Sequence, residues 1–287
     1  MNIRKFALYL CLLVVTLFFF YSELIAAPRA KLRAKAAILM NIDSGSILYA
    51  KNPNKPMQPA SLTKILSLYL VYEAISEGKV QLSDKVKIST DAQLTGGSSM
   101  YLVDDTEVAL EDLIKGMAIV SANDASIAIA EHIGGSVNGF VNMMNAKARE
   151  LGMKHSHFIN PNGLPAKGQV TTARDILIVS QAYIRDFPEA LQLHSMQEYT
   201  YRDITQHNNN TLLKQCEDVD GLKTGFVRAS GFHLVATAKR GNTRLIAVVM
   251  GEKNPKIRER EAVKLLERGF RMTGERGKAS LSSKSHS

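Results

Sequence analysis

Residues 57–70 read MQPASLTKILSLYL and combine a helix pattern with a short polar motif. The apolar side chains of the helix pattern are Leu62, Ile65, Leu66, Tyr69 and Leu70. Their spacing of three and four predicts a helix that begins after Pro59 and ends at Gly78. The first turn of this helix carries Ser61 and Lys64.

Strand patterns lie near both ends of the chain. Residues 37–50, AILMNIDSGSILYA, predict two strands around a turn at residues 43–45. Residues 198–205, 232–239 and 243–250 also predict strands, and the last two form a hairpin, which makes the sheet antiparallel there. We therefore expect one antiparallel sheet built from the two ends of the domain and covered by helices, which is an α/β fold.

Helical patterns occupy the middle of the chain and a segment near its end. They cover residues 110–117, 124–133, 140–151, 172–184 and 255–272. No internal repeat or linker divides the chain, so residues 35–273 are expected to form one domain. Residues 274–287 are rich in serine and lysine and predict a disordered basic tail.

Residues 1–27 have the layout of a secretory signal peptide. Two basic residues precede an apolar run at residues 6–21, and the small residues Ala26 and Ala27 follow. The run is short for a membrane span of roughly 20 residues, so we expect cleavage. An uncleaved anchor is the alternative, because Pro28 is a poor neighbour for cleavage. Either way, the folded part is expected in the periplasm or on the outer face of the cytoplasmic membrane.

The composition limits the class of protein and its partners. With 45% hydrophobic and 22% charged residues in 287, the chain is a globular protein and not a disordered, collagen-like or coiled-coil one. Two cysteines exclude a disulfide scaffold and a zinc site built mainly from thiolates. The net charge of +9 attracts acidic envelope polymers and anionic lipid, although spread charge is also typical of an ordinary solvated surface. No nucleic-acid partner is expected, because no basic run alternates with aromatic residues.

Ser61 and Lys64 form an SxxK motif. Residues three apart share one face of a helix, so the hydroxyl and the amine can form a hydrogen bond. A serine hydroxyl becomes a good nucleophile when a neighbouring base takes its proton, and a lysine can be that base only if its pKa is lowered. Burial and a second nearby cation would both lower that pKa.

Two further motifs follow along the chain. Ser121 and Asn123 form an SxN motif between two predicted helices, and residues 223–225 form the only KTG. The structural alternatives are a plain helix cap for Asn123 and Asp124 and an exposed strand lysine for Lys223.

The first two motifs also occur elsewhere in the chain. Ser76 and Lys79 match SxxK at a helix end, and Ser136 and Asn138 match SxN. The order, spacing and context of the first set distinguish it from these isolated matches.

The combined motifs resemble those of the low-molecular-mass penicillin-binding proteins of the D-alanyl-D-alanine carboxypeptidase family. The resemblance runs from about residue 37 to residue 272. It includes the stretches SANDASIAIAEHIGG (121–135), FINPNGLP (158–165), IRDFP (184–188), VDGLKTG (219–225) and RLIAVVMG (244–251). It implies an α/β sandwich of the DD-peptidase and β-lactamase type, in which helices cover an antiparallel sheet.

The resemblance also implies catalytic roles. Ser61 would be the nucleophile and Lys64 its general base. Ser121 would pass a proton to the leaving amine, and Asn123 would hold the substrate amide. The backbone N–H groups of Ser61 and Phe226 would form the oxyanion hole, whose fixed donors stabilise a tetrahedral intermediate.

Substrate binding is implied at the third motif and in the last helix. Lys223 would supply positive potential and Thr224 would bind the terminal carboxylate of the substrate, with Gly225 beside them. Arg258 matches a family arginine proposed to assist carboxylate recognition. Its alternative is a solvated helix charge.

The implied reaction is a two-step acyl transfer without a metal or organic cofactor. Ser61 would attack the D-Ala-D-Ala bond of a peptidoglycan stem peptide, and water would then release the shortened peptide. β-Lactam antibiotics would acylate the same serine and leave slowly, which makes them inhibitors. Peripheral association with the membrane or the cell wall is left open.

The sequence departs from the family pattern in two places, and these departures leave a DD-endopeptidase as an alternative function. Phe226 stands where close relatives often have histidine. Longer members add a β-rich second domain and an amphipathic anchor, and the 15 residues after Met272 have room for neither. This favours a soluble periplasmic enzyme, and it keeps a DD-endopeptidase that cuts D-alanyl cross-links as the alternative.

Three other functions compete with these. A class A β-lactamase would need a glutamate in an ExxLN context, which is absent around Glu131, Glu150, Glu189, Glu198 and Glu217. An inactive peptidoglycan-binding relative would not need the intact motif residues. For a metal hydrolase, His155 and His157 are spaced as HxH but have no acidic partner in a recognisable pattern, so we interpret them as loop histidines.

Overall fold

The computed structural model describes residues 32–275. The predicted signal peptide at residues 1–27 and residues 276–287 of the predicted tail lie outside this range, and both stay predictions. Within residues 32–275, no helix is both long enough and apolar enough to cross a membrane.

Nine strands and nine helices make up the described part of the chain. The strands are β1 (Ala36–Asn41), β2 (Ile47–Lys51), β3 (Lys85–Lys87), β4 (Glu107–Ala109), β5 (Glu198–Tyr201), β6 (Ile204–His207), β7 (Val219–Val227), β8 (Gly231–Arg240) and β9 (Thr243–Glu252). The helices are α1 (Thr63–Ser76), α2 (Thr90–Gln93), α3 (Leu110–Lys115), α4 (Asn123–Gly134), α5 (Val137–Glu150), α6 (Ala173–Asp186), α7 (Ala190–His194), α8 (Leu212–Gln215) and α9 (Pro255–Met272). A 3-10 turn, Ala60–Leu62, precedes α1, and a π-helical turn, Gly116–Val120, follows α3.

The main sheet joins the two ends of the domain, as predicted. Its five strands lie in the order β2–β1–β9–β8–β7, and all neighbours are antiparallel. Leu39 of β1 pairs with Ala247 of β9, so the N-terminal hairpin adds directly to the C-terminal strands. The strand β7 is left at one edge, where its outer side is free to border a cleft.

Residues 198–205 do not form the single strand that their pattern predicts. They lie in the hairpin β5–β6, in which Tyr201 pairs with Ile204 across a two-residue turn. Arg202 adopts a left-handed backbone with φ of 50° in that turn. Neither turn residue is a glycine or proline, so the usual sequence signal for a turn is absent.

Helices cover both faces of the main sheet, so alternate residues of a strand enter different layers. Leu39 and Leu245 lie against Gly269 of α9 on one face. Ile38 and Ile246 belong to the core that the other helices share. Because both faces are buried, β1 and β9 are apolar along nearly their whole length.

Side-chain caps fix the starts of α6 and α9, which begin where the sequence predicts, whereas the capped helix α5 begins three residues earlier than predicted. Thr172 Oγ1 accepts a hydrogen bond of 3.1 Å from the Asp175 nitrogen at the start of α6. Asn254 Oδ1 accepts one of 2.9 Å from the Ile257 nitrogen, and the proline that follows opens α9. Such caps satisfy backbone N–H groups that have no partner inside the helix.

Candidate active site

The SxxK pair lies where the 3-10 turn passes into α1. Ser61 lines a cleft, and Lys64 is completely buried behind it. Lys64 Nζ lies 3.2 Å from Ser61 Oγ. Ala60, just before the serine, has a left-handed φ of 50°, which lets the chain turn sharply and present the hydroxyl to the cleft.

Two further contacts surround the Lys64 amine. Its Nζ donates to Asn123 Oδ1 at 2.7 Å and to the Asn162 carbonyl oxygen at 2.7 Å. An uncharged amine has two N–H groups and one lone pair. Both carbonyl oxygens can only accept, so they engage the two N–H groups and leave the lone pair for the Ser61 hydroxyl. This arrangement suits a general base.

The electrostatics favour the uncharged amine. Burial lowers the pKa of Lys64 well below its ordinary value, and the positive charge of Lys223 lowers it further. The carboxylate of Asp124 opposes these two effects in part. The net direction is the one that the predicted role requires.

The SxN motif follows the π-helical turn. Ser121 adopts a left-handed φ of 66°, and its buried Oγ has no hydrogen-bond partner within residues 32–275. Asn123 donates from Nδ2 to the Gly96 carbonyl oxygen at 2.7 Å, while its Oδ1 faces Lys64. The Asn123 side chain therefore does not cap α4, and the helix-cap alternative is wrong.

Asp124 holds the loop that borders Asn123, and sequence reasoning missed this role. Its carboxylate accepts hydrogen bonds from Ser99 Oγ at 2.6 Å and from the backbone nitrogens of Met100 and Leu102 at 3.1 Å and 3.2 Å. The same loop supplies the Gly96 carbonyl to Asn123. An acidic residue directly after SxN, in the first turn of a predicted helix, was the available signal.

The KTG motif lies on the edge strand β7. Lys223 is only 2% exposed, so the alternative of an exposed strand lysine is wrong. Burial lowers the pKa of Lys223 to about 7, and the charge of Arg258 contributes. Thr224 and Gly225 line the cleft.

Gly225 allows the strand to lie against the serine turn. A Cβ atom at this position would be 3.2 Å from the Ser61 nitrogen and 3.2 Å from the Ala60 Cβ atom. A larger side chain would push β7 away from the nucleophile. The backbone of this motif is therefore as important as its side chains.

Phe226 forms part of the cleft wall at the position after KTG. Its ring stacks on Phe232 of the neighbouring strand, with centroids 4.2 Å apart. The side chain of Phe226 is 53% exposed, and both rings border the cleft. The departure from the family pattern thus places an aromatic surface at this edge.

Arg258 lies on α9, and it too lines the cleft. It is only 5% exposed, which excludes the solvated helix charge. Its Nη2 donates to Glu259 Oε1 at 2.8 Å, and its Nε has no hydrogen-bond partner among the described residues. Burial lowers the pKa of Arg258 from its ordinary value, although a guanidinium stays charged in proteins. The unpartnered Nε leaves hydrogen-bond donor capacity unused at the cleft.

One cleft of about 580 Å³ brings the predicted residues together. Of these, Ser61, Ser121, Asn123, Thr224, Gly225, Phe226 and Arg258 line it. The two lysines, Lys64 and Lys223, lie buried behind its wall.

The duplicate motifs have structural roles outside this cleft. Ser136 Oγ accepts from the Gly139 nitrogen as the cap of α5, and Lys79 forms an exposed ion pair with Glu77. His155 and His157 are exposed. No group of three side chains that could hold a metal ion occurs among residues 32–275.

Three consecutive asparagines connect the elements around the cleft, and these were also missed. Asn208 Nδ2 donates to the Met196 carbonyl at 2.9 Å, and Asn210 Nδ2 donates to the Gly221 carbonyl of β7 at 3.1 Å. Asn209 Nδ2 lies 3.5 Å from the Val120 carbonyl, just before Ser121. A polar run ahead of a catalytic strand was the signal for them.

A family model described as D-alanyl-D-alanine carboxypeptidase matches residues 23–254. The chain belongs to the D-alanyl-D-alanine carboxypeptidase family. The predicted family and the predicted α/β fold are therefore confirmed.

Individual relatives in the carboxypeptidase family agree with this assignment. D-alanyl-D-alanine carboxypeptidase DacC of Escherichia coli is 43% identical over 245 residues, which are 83% of this chain and 61% of DacC. The crystal structure of penicillin binding protein 5 from Haemophilus influenzae aligns with a TM-score of 0.83 and 40% identity, over 85% of this chain and 73% of that one. A D-alanyl-D-alanine endopeptidase of Escherichia coli is more distant, with 28% identity over 78% of this chain and 73% of its own length.

Proposed function

We propose that the protein is a serine-type D-Ala-D-Ala carboxypeptidase that trims peptidoglycan stem peptides and binds penicillin. The observation that carries this proposal is the environment of Lys64, whose amine is buried, has two carbonyl acceptors and lies 3.2 Å from Ser61 Oγ. DacC and the other carboxypeptidases of the family support the substrate class. The chain spans about three-fifths of the length of DacC, so the activity is inferred from this site.

The first step forms the acyl-enzyme. Ser61 Oγ attacks the carbonyl carbon of the D-Ala-D-Ala bond as its proton moves to the uncharged amine of Lys64. The backbone N–H groups of Ser61 and Phe226 stabilise the oxyanion. Ser121 Oγ, which has no partner in the described structure, then relays this proton from Lys64 to the leaving nitrogen of D-alanine, and Lys64 is uncharged again.

The terminal carboxylate of the substrate binds at the α9 side of the cleft. Thr224 and Arg258 both line it, and the unused donors of the buried guanidinium fit a carboxylate. Lys223 adds positive potential from behind. Asn123 holds the Lys64 amine, and its predicted contact with the substrate amide stays a prediction.

The second step releases the shortened peptide. Lys64 accepts a proton from the water that attacks the ester carbonyl, and it passes this proton to Ser61 Oγ as the acyl–oxygen bond breaks and the shortened peptide leaves. A β-lactam forms the same ester, but its leaving group stays attached to the acyl part and does not diffuse out of the cleft. We therefore infer that the penicilloyl ester of Ser61 persists.

A β-lactamase and an inactive peptidoglycan-binding protein have less support from the cleft. Among its lining residues, Glu259 is the only carboxylate, and it is paired with Arg258. None of the five glutamates considered for a β-lactamase lines it. An inactive binding protein would have no need for the three contacts around Lys64.

The location of the enzyme is part of the proposal. Residues 1–27 are proposed to direct export, which places the folded domain in the periplasm or on the outer face of the cytoplasmic membrane. Peripheral association with the membrane or the cell wall is also proposed, and the excess of positive charge supports it.

The test is incubation with benzylpenicillin followed by intact mass measurement and peptide mapping. We expect a lasting adduct on Ser61 in the wild type and none in Ser61→Ala. Release of D-alanine from a stem pentapeptide should be lost in the same variant. Rapid consumption of the drug without an adduct would favour a β-lactamase, and an inert Ser61 would overturn the proposal.

The endopeptidase alternative is tested with a second substrate. A cross-linked muropeptide dimer and a monomeric pentapeptide are supplied at equal concentration. We expect faster release of D-alanine from the pentapeptide. Faster conversion of the dimer to monomers would assign the protein to the endopeptidases.

A further inference from the structure

The outer face of α9 carries a regular series of cations. Lys256, Arg260, Lys264 and Arg268 follow one another at intervals of four residues, which places them along one side of the helix. Lys256, Arg260 and Lys264 are exposed, and Arg268 lies over the ring of Tyr49 at 4.7 Å. Together with Lys253, just before the helix, we call these five residues the basic row.

The carboxylates of α9 are buried or bound by a cation. Glu259 and Glu261 are buried, and Glu261 binds Lys264 of the basic row at 3.0 Å, while Glu267 is bound by Arg240 at 2.7 Å. The sequence of this helix alternates acidic and basic residues, so its charge looks balanced before folding. The fold therefore buries or pairs the acidic residues of α9. It leaves Lys256 and Arg260 exposed, whereas Arg258 of the same helix is buried.

Local ion pairs do not explain why Lys253, Lys256 and Arg260 of the basic row are positively charged residues. Lys253, Lys256 and Arg260 have no carboxylate partner among residues 32–275, whereas surface lysines such as Lys79 and Lys87 form close ion pairs. No acidic residue lies in the first turn of α9. Cations at a helix N-terminus oppose the helix dipole, so helix stability does not explain their position.

The chain enters the domain beside this row. The side chain of Lys35, directly before β1, lies against Gly251, where an added Cβ atom would be 2.7 Å from it. Gly251 is two residues from Lys253 in the sequence. In the alternative of an uncleaved anchor, residues 22–35 alone would separate β1 from the apolar run at residues 6–21.

We propose that the basic row docks the domain on an anionic phospholipid surface. Headgroup phosphates supply the negative charge that Lys253, Lys256 and Arg260 lack, and several lysines and arginines side by side bind such surfaces additively. Pro255 and Arg258 of the same helix line the cleft, so docking places one rim of the cleft beside the headgroups. This inference deepens the envelope location in the proposed function and rests on it.

The experiment measures binding of the full chain to vesicles of phosphatidylcholine with and without phosphatidylglycerol. The test variant is Lys253→Gln/Lys256→Gln/Arg260→Gln. The matched control is Lys55→Gln/Lys85→Gln/Lys154→Gln, which removes the same charge from exposed positions elsewhere. The apolar run is present in every variant, so only the part of binding that depends on phosphatidylglycerol is compared.

We expect the test variant to lose at least about tenfold of that binding and the control to lose less than about twofold. Added salt should weaken the wild type toward the test variant. Equal losses in both variants would show that net charge alone acts, and this would overturn the proposal. Tighter binding to heparin than to vesicles of equal charge would assign the row to a soluble polyanion and overturn it too.

Folding and catalysis are monitored separately. Thermal unfolding of both triple variants shows whether a loss of vesicle binding reflects a loss of structure. The benzylpenicillin adduct is measured on the wild type. If Ser61 were inert while vesicle binding still depended on the basic row, the proposed function would fail and the docking surface would stand.

Discussion

Lys64 Nζ lies 2.7 Å from Asn123 Oδ1, closer than the 3.2 Å that separates it from Ser61 Oγ. The SxN motif is therefore a direct partner of Lys64, the proposed general base. Because Asn123 is also fixed by the Gly96 carbonyl, the orientation of the amine depends on the loop before it. The first two motifs act as one hydrogen-bonded unit.

Asn123→Ala should slow acylation of Ser61 by benzylpenicillin by roughly a hundredfold, which is within the range of general-base catalysis. The substitution removes one of the two carbonyl groups that orient Lys64. Stopped-flow acylation kinetics measure the effect. Asn138→Ala, in the exposed duplicate SxN, is the control and should change the rate little. Equal rates in the two variants would contradict the role of Asn123.

Lys223→Gln should move the acid limb of the acylation rate to higher pH. The reaction needs uncharged Lys64, so the rate falls as pH drops below the pKa of that amine. The positive charge of Lys223 lowers this pKa, and its removal therefore raises the pKa of Lys64. Lys223→Arg keeps the charge and should retain the wild-type acid limb. An unchanged acid limb in Lys223→Gln would show that the two amines are not coupled.

For substrates with a terminal carboxylate, the kcat/KM of the wild type should fall as the pH rises above about 7. Burial lowers the pKa of Lys223 to about 7, so its charge is present below that pH and is lost above it. An arginine stays charged over this range, and Lys223→Arg should flatten the alkaline limb. A decline at the same pH in both proteins would assign this limb to another group.

Arg258→Gln should raise KM for D-Ala-D-Ala peptides on the order of tenfold to a hundredfold, the range expected for a charged hydrogen bond. The guanidinium is buried at the cleft and its Nε has no partner in the described structure, so a carboxylate can use it. The KM for a peptide that ends in an amide should rise far less. Arg149→Gln, at an exposed position, is the control. Similar losses with acid and amide substrates would mean that Arg258 acts through structure alone.

Gly163→Ala should destabilise the protein and slow acylation. Gly163 has a φ of 86°, and a Cβ atom there would be 1.8 Å from the Ala60 carbonyl oxygen, next to Ser61. Gly168→Ala is the matched control, because its φ is 91° and the nearest atom would be Ile159 Cδ1 at 3.8 Å. The control should lose only about 1–2 kcal/mol for its left-handed backbone in urea unfolding.

Gly163→Ala should lose more free energy of unfolding than the Gly168→Ala control, and its acylation rate should also fall. The extra loss measures the contact between residue 163 and the turn that carries the nucleophile. Equal stability and equal acylation in the two variants would show that the turn tolerates the displacement.

Much of the fold was predictable because local patterns carry it. The helix period around Ser61, the cap at Thr172 and the hairpin of β8 and β9 all depend on neighbours close in sequence. The hairpin at residues 198–207 was missed, because its turn at Arg202 uses a left-handed backbone without glycine.

The sequence by itself determined which residues can do the chemistry. The three motifs name Ser61, Lys64, Ser121, Asn123 and Lys223, since the order of the side chains is fixed by the chain. The sequence could not decide whether Asn123 is a helix cap or a site residue. Nor could it decide whether Arg258 is a solvated charge or a substrate-binding residue. Burial and partners far along the chain decide such questions.

Only the tertiary structure decided what surrounds those residues. The Asn162 carbonyl accepts from Lys64 although the two are 98 positions apart, and Asp124 fixes a loop more than 20 residues before it. The same holds for the basic row, because folding buries Glu259 and Glu261 and leaves Lys256, Arg260 and Lys264 exposed. Charges, hydrogen bonds and pKa values depend on distances in space, and folding sets those distances.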